Sequence, residues 1–129
     1  MRISFKQIAV ILGVFLLLVA CKPSDKYVGE WYAISTEGEV KVNFCKEKVL
    51  TVENDGNKET FDFNQTSTGF INEVKYYGLD MDDGKFYVVF ENKKDEDNAK
   101  LIRQTNQASD FEDVVGDVAF KMNWNEYPK

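Results

Sequence analysis

The chain has 129 residues, with 22 acidic and 16 basic side chains, a formal net charge of −6 and no histidine. That length fits one domain with its own core, and the acidic balance argues against a nucleic-acid partner. Without histidine the commonest general base near neutral pH is missing, as is the commonest metal ligand, and neither a Ser-His-Asp nor a Cys-His nucleophile system can be assembled.

Arg2 and Lys6 precede an apolar run, Ile8 to Ala20, that closes on Leu18-Val19-Ala20-Cys21. A basic start, an apolar middle and small residues at a cut site are the three parts of a secretory signal. The run covers 13 residues, short of the ~20 that cross hydrocarbon, which weighs against a membrane-spanning helix. The Leu-Val-Ala-Cys ending resembles the lipobox of bacterial lipoproteins. The resemblance implies that residues 1–20 are a signal peptide and that Cys21 begins the mature chain, carrying lipid such as palmitate. It also implies attachment to the bacterial envelope. By the enteric sorting pattern Lys22 leans towards the outer membrane, with the domain facing the periplasm. Residues 21–26 then read as a lipidated, short polar tether. Loss of Arg2 and Lys6 with the leader takes the formal charge from −6 to −8, which suits solubility or a basic protein partner. With Cys21 lipidated, Cys45 is a lone thiol and no internal disulfide forms.

From Tyr27 onward, aromatic and β-branched residues alternate with polar ones between turn signals. The pattern predicts a first strand over Tyr27–Ser35 and a turn at 36–39. In the second strand Val40, Val42 and Phe44 face the core, while Lys41, Asn43 and Cys45 point away. Lys46-Glu47 reverses the chain into a third strand, Val49–Val52. Asn54-Asp55-Gly56-Asn57 is a hairpin signal, because Asp-Gly accepts the positive φ that such turns need. Phe61 and Phe63 mark a fourth strand, Gln65–Gly69 a polar loop and Phe70–Leu79 a long fifth strand. Asp82-Asp83-Gly84 turns the chain into a sixth, Phe86–Phe90. A charged loop, Lys93–Asn98, precedes a seventh with Leu101 and Arg103 on one face. Phe44, Phe61, Phe63, Phe70, Phe86 and Phe90 all point inward in this reading. Packing of that bulk leaves little room for a cavity.

Phe111, Val114, Val115, Val118, Ala119 and Met122 recur at i, i+3, i+4, i+7, i+8 and i+11, the face of a helix over about 110–122. Ser109 and Glu112 supply a capping box, while Gly116 weakens the helix by about 1 kcal/mol relative to alanine. The expected fold is therefore mainly β, a single domain over 27–129. Its seven strands form an antiparallel meander closing into a small barrel or strongly curved sheet, with one C-terminal amphipathic helix.

Gly29-Glu30-Trp31-Tyr32, within Asp25–Ile34, resembles the Gly-x-Trp-Tyr opening of lipocalins. The resemblance implies a calycin-like barrel in which Trp31 packs across the floor against an arginine near the last strand. Arg103 stands at that place. The chain departs from the family in its shorter length, in seven predicted strands where lipocalins have eight, and in lacking the mid-chain Thr-Asp-Tyr motif.

Two acidic clusters, Asp80/Asp82/Asp83 and Asp95/Glu96/Asp97, carry the oxygens hard cations want. A calcium loop begun at Asp80 would need glycine and glutamate where Lys85 and the in-strand Glu91 stand, so solvated hairpin tips are the better reading. No metal, cofactor or catalytic residue is expected, and the chain does not read as an enzyme. The leading expectation is non-catalytic protein binding at the envelope, of accessory, inhibitor or immunity type. Tyr76 or Tyr77, Trp124 and Tyr127 are candidate contact aromatics. The alternative is lipocalin-like binding of a small apolar ligand, which requires an open apolar cavity of a few hundred Å³.

Overall fold

A computed structural model describes residues 23–128. The leader, the lipobox and Cys21 lie outside the described residues. Eight antiparallel strands close into a barrel in sequence order. They are β1 Gly29–Ser35, β2 Gly38–Cys45, β3 Val49–Asn54, β4 Asn57–Ile71, β5 Val74–Met81, β6 Gly84–Phe90, β7 Asn98–Gln104 and β8 Gly116–Asn123. The architecture is compatible with a lipocalin-like barrel.

The turns follow their residue chemistry. Asp55 (φ 50) and Gly56 (φ 82) make the β3–β4 hairpin, and Lys48 (φ 69) makes the reversal after Cys45. Along β2 the alternation holds: Val40, Val42 and Phe44 are buried, while Cys45 is a half-buried free thiol off that face. Because the strands alternate in direction, each end of the barrel collects alternate connections. One end carries the β1–β2, β3–β4, β5–β6 and β7–β8 connections. The other carries the remaining three, together with the chain entering β1 and leaving β8.

The C-terminal helix is not formed. A single 3-10 turn, Phe111–Asp113, interrupts the connection after β7, and β8 is a strand paired with both β7 and β1. The reason is closure. Without β8, strands β1 and β7 would each expose a row of unpaired N–H and C=O groups. Local preference agrees, since Val114, Val115 and Val118 lose χ1 freedom in a helix. Phe120, which the helical stripe leaves out, lies opposite the buried Leu101 and packs on the core. The strand count is accordingly eight, as in lipocalins, and not seven.

Two further expectations are corrected. Gln65–Gly69 is part of the 15-residue strand β4, with a register shift between Gln65 and Ser67. The long fifth strand divides at a turn before β5, where Asn72 takes a left-handed φ of 58. Asparagine tolerates that conformation. Consequently Phe61 and Phe70 are not core residues: they are 37% and 58% exposed.

Candidate functional site

The end at which the chain enters is sealed by aromatics. Ser24 to Tyr27 forms a turn held on the barrel: the Ser24 N–H donates to Gln65 Oε1 at 3.0 Å and the Tyr27 hydroxyl donates to the same oxygen at 2.9 Å. The chain is therefore docked from Ser24 onward. Tyr27 is fully buried, with its ring 5.2 Å from those of Phe44 and Tyr77. Burial pushes its hydroxyl well above the ordinary tyrosine range, opposed in part by a hydrogen bond from the Ser24 backbone.

Trp31 lies under this plug, fully buried, and its Nε1 donates to the Tyr27 carbonyl at 2.9 Å. Its ring meets Trp124 edge-on at 4.9 Å and Phe90 at 6.1 Å. Gly29, the first residue of the motif, has φ 133, and a Cβ there would overlap the Trp124 ring. Trp31 and Gly29 are thus brought together through Trp124, which the sequence offers only as a candidate contact aromatic.

Arg103 stands elsewhere. It lies opposite Phe86 in the β6–β7 register, with its guanidinium carbon 6.0 Å from the Phe86 ring centre and Nη2 donating to the Asp83 carbonyl at 3.4 Å. That is the far end of the barrel from Trp31. The indole cover that the family resemblance assigns to arginine is supplied here by Trp124 and Phe90.

The far end is open. A cavity of about 410 Å³ occupies it, walled by Val40, Leu50, Val52, Phe86, Leu101 and Phe120. Phe61, opposite the buried Leu50 in the register, forms part of its lip. Glu37, Glu59 and Asp83 stand at the rim with Asn54 and Asn57. The cavity exists because bulk is distributed unevenly along the barrel. Tyr27, Trp31, Phe44, Phe63 and Tyr77 crowd the sealed half, where their rings interlock. The open half carries Val40, Leu50, Val52 and Leu101 beside Phe86 and Phe120; Phe61 and Phe70, expected to fill the interior, sit at the lip of the mouth and on the surface of the sealed end respectively. The signal that could have revealed this was the run of medium aliphatic residues at the inward positions nearest the open-end turns.

Tyr77 is core, while half-buried Tyr76 stacks on Phe111 at 4.1 Å with the planes 7° apart. Tyr127 packs edge-on to Tyr32 at 5.0 Å. Asp80 lies 3.8 Å from Lys85, and Glu96 pairs with Lys26 at 2.7 Å. The Asp95 carboxylate accepts from Asn98 Nδ2 at 2.8 Å and from the Asp97 N–H at 3.1 Å, which holds its carboxyl below the usual range. Among the described residues no three of His, Cys, Asp or Glu converge as a metal site would require.

No protein-family model, curated protein or solved structure matches the chain.

Proposed function

We propose that this chain is a lipid-anchored lipoprotein of the bacterial envelope whose barrel holds a small, largely apolar molecule in its open mouth. The observation that carries the reading is the 410 Å³ apolar cavity. Its size falls in the range of about 300–1,000 Å³ typical of small-molecule sites. An eight-stranded barrel without a ligand role is ordinarily filled by its own side chains. The anchor is consistent with this arrangement. Cys21 precedes the docked turn at the sealed end, so lipid there leaves the mouth pointing away from the bilayer.

A protein partner has less to stand on. Of the candidate contact aromatics, Tyr77 is buried, Tyr76 is covered by Phe111 and Trp124 is committed to Trp31. The acidic rim of Glu37, Glu59 and Asp83 remains the surface that a basic partner would meet first.

The test is binding of the neutral probe N-phenyl-1-naphthylamine to a leaderless form carrying Cys21→Ser, which keeps the barrel free of detergent. Saturable emission enhancement is expected. Val52→Trp, which fills the mouth from a half-buried wall position, should weaken binding by about tenfold or more, equivalent to at least 1.4 kcal/mol. Circular dichroism checks that the variant is folded. Unsaturable enhancement, or a folded Val52→Trp protein binding like the parent, would overturn the assignment.

A further inference from the structure

A second hollow lies at the opposite, sealed end. It has a volume of about 200 Å³ and shares no lining residue with the mouth cavity. Its walls are the rings of Phe70, Tyr77 and Phe90, and Lys75 and Lys93 converge on it. From this arrangement we infer that the hollow is a separate binding site for a small aromatic carboxylate.

The two lysines come from different elements. Lys75, on β5, lies opposite the buried Phe90 and so projects to the barrel interior. Its Nζ is 4.1 Å from the Phe70 ring centre and 5.2 Å from that of Tyr77. Lys93, from the β6–β7 connection, brings its Nζ to 5.6 Å from the same Phe70 ring. Phe70 is 58% exposed, so these contacts are made in reach of water.

What makes the pair informative is what they lack. Among the described residues the cation–carboxylate pairs are Lys26–Glu96, Lys85–Asp80 and Lys100–Glu91. Neither Lys75 nor Lys93 has a carboxylate of the described residues within ion-pair distance, in a chain with 22 acidic residues to 16 basic ones. The carboxylate lining the hollow, Glu96, is held by Lys26 at 2.7 Å. Two ammonium groups therefore face one hollow with only ring faces as partners. An exposed cation–π contact is weaker than a hydrogen bond between two charged groups. A carboxylate bridging the two lysines would use both cations more fully than the rings do.

Size and wall chemistry narrow the rest of the ligand. An apolar cavity of about 150 Å³ accommodates benzene, so 200 Å³ admits one ring with a short acidic substituent. Flat aromatic walls favour offset or edge contacts with such a ring.

The experiment uses the intact acylated protein in neutral detergent. Para-fluorobenzoate is titrated by fluorine NMR, with para-fluorobenzyl alcohol as the uncharged control for partition into micelles. Saturable binding of the acid is expected, at least about tenfold tighter than that of the alcohol. Lys75→Met with Lys93→Met keeps the apolar stems on Phe70 while removing both charges, and should abolish that preference. The paired Lys→Arg variant should restore it, which guards against a misfolded methionine form. Val52→Trp at the mouth should leave it unchanged, so this site stands or falls apart from the mouth reading. Equal binding of acid and alcohol, absence of acid binding at millimolar concentrations, or full retention by the methionine pair would overturn the inference.

Discussion

Trp124 and Trp31 meet in a T-shaped pair, ring centres 4.9 Å apart and planes at 79°, and the same Trp124 ring covers Gly29 so closely that a Cβ there would overlap it. A residue after the last strand thereby ties the first strand to the floor of the barrel. This seam needs such a tie. β8 meets β1 at only three register positions, Asn123–Tyr32, Met122–Ala33 and Lys121–Ile34.

Trp124→Ala is expected to destabilise the barrel by about 2 kcal/mol, below the 3–5 kcal/mol of a fully buried tryptophan, because Trp124 is 41% exposed. Gly29→Ala should also destabilise, through the overlap and through its φ of 133, which L side chains rarely adopt. In the double variant the ring is gone, so the loss should fall short of the sum of the two single losses. Urea unfolding of the four proteins measures this. Strict additivity would mean that Trp124 does not occupy the space above Gly29.

A second expectation concerns Tyr27. Its hydroxyl is buried and ionises well above the ordinary value of 10.0 in the folded barrel, whereas the unfolded chain releases the proton near that value. Below pH 10 both states keep the proton and stability is unaffected by this group. Above it only the unfolded state gains by ionising, so stability falls by about 1.4 kcal/mol per pH unit until the folded value is passed. Tyr27→Phe removes this dependence, at the expense of the 2.9 Å bond to Gln65. Its unfolding free energy should therefore start lower at neutral pH and decline less between about pH 9 and 11. Phenolate absorbance gives an independent readout, with Tyr27 titrating only as near-ultraviolet dichroism is lost. Reversible ionisation of all six tyrosines in a protein that keeps its native dichroism would contradict the burial argument.

Where one face of a strand is buried and the other wet, the period of two is plain to read, and β2, β3 and the Asp-Gly hairpin that leads from β3 into β4 follow from it. Strand β4 defeated the same logic, because most of its 15 residues are exposed on both faces. With no buried stripe, its polar middle looked like a loop. The error at β8 had a different source. Val114, Val115, Val118, Ala119 and Met122 satisfy a helical stripe, whereas in the strand Phe120 and Met122 alternate inward and the extra residue Ala119, opposite the Leu101–Ile102 step, breaks the alternation so that Val118 is exposed. The choice between them was made by barrel closure, a contact with β1 distant in sequence. Phe111, taken as the start of the helical face, instead stacks on Tyr76 and meets Tyr87 at 5.2 Å outside the barrel. The mouth cavity was hidden for a related reason. Composition counts aromatic side chains, but whether Phe61 and Phe70 fill the interior depends on how far along the barrel each one sits.

The orientation proposed for the mouth depends on the anchor, and Cys21 decides it. Thioether formation requires the sulfur, since a serine hydroxyl at the same position is not a substrate for that alkylation. Cys21→Ser should therefore fail to incorporate radiolabelled palmitate and should accumulate as an unprocessed or soluble form. The wild-type chain should carry label and fractionate with membranes. Barrel stability and probe binding at the mouth should be the same in both, because Ser24 to Tyr27 is held by Gln65 and by the core rather than by lipid. If Cys21→Ser is labelled, matured and sorted like the parent, the lipobox reading fails and the outward-facing mouth loses its basis. The cavity itself would be untouched.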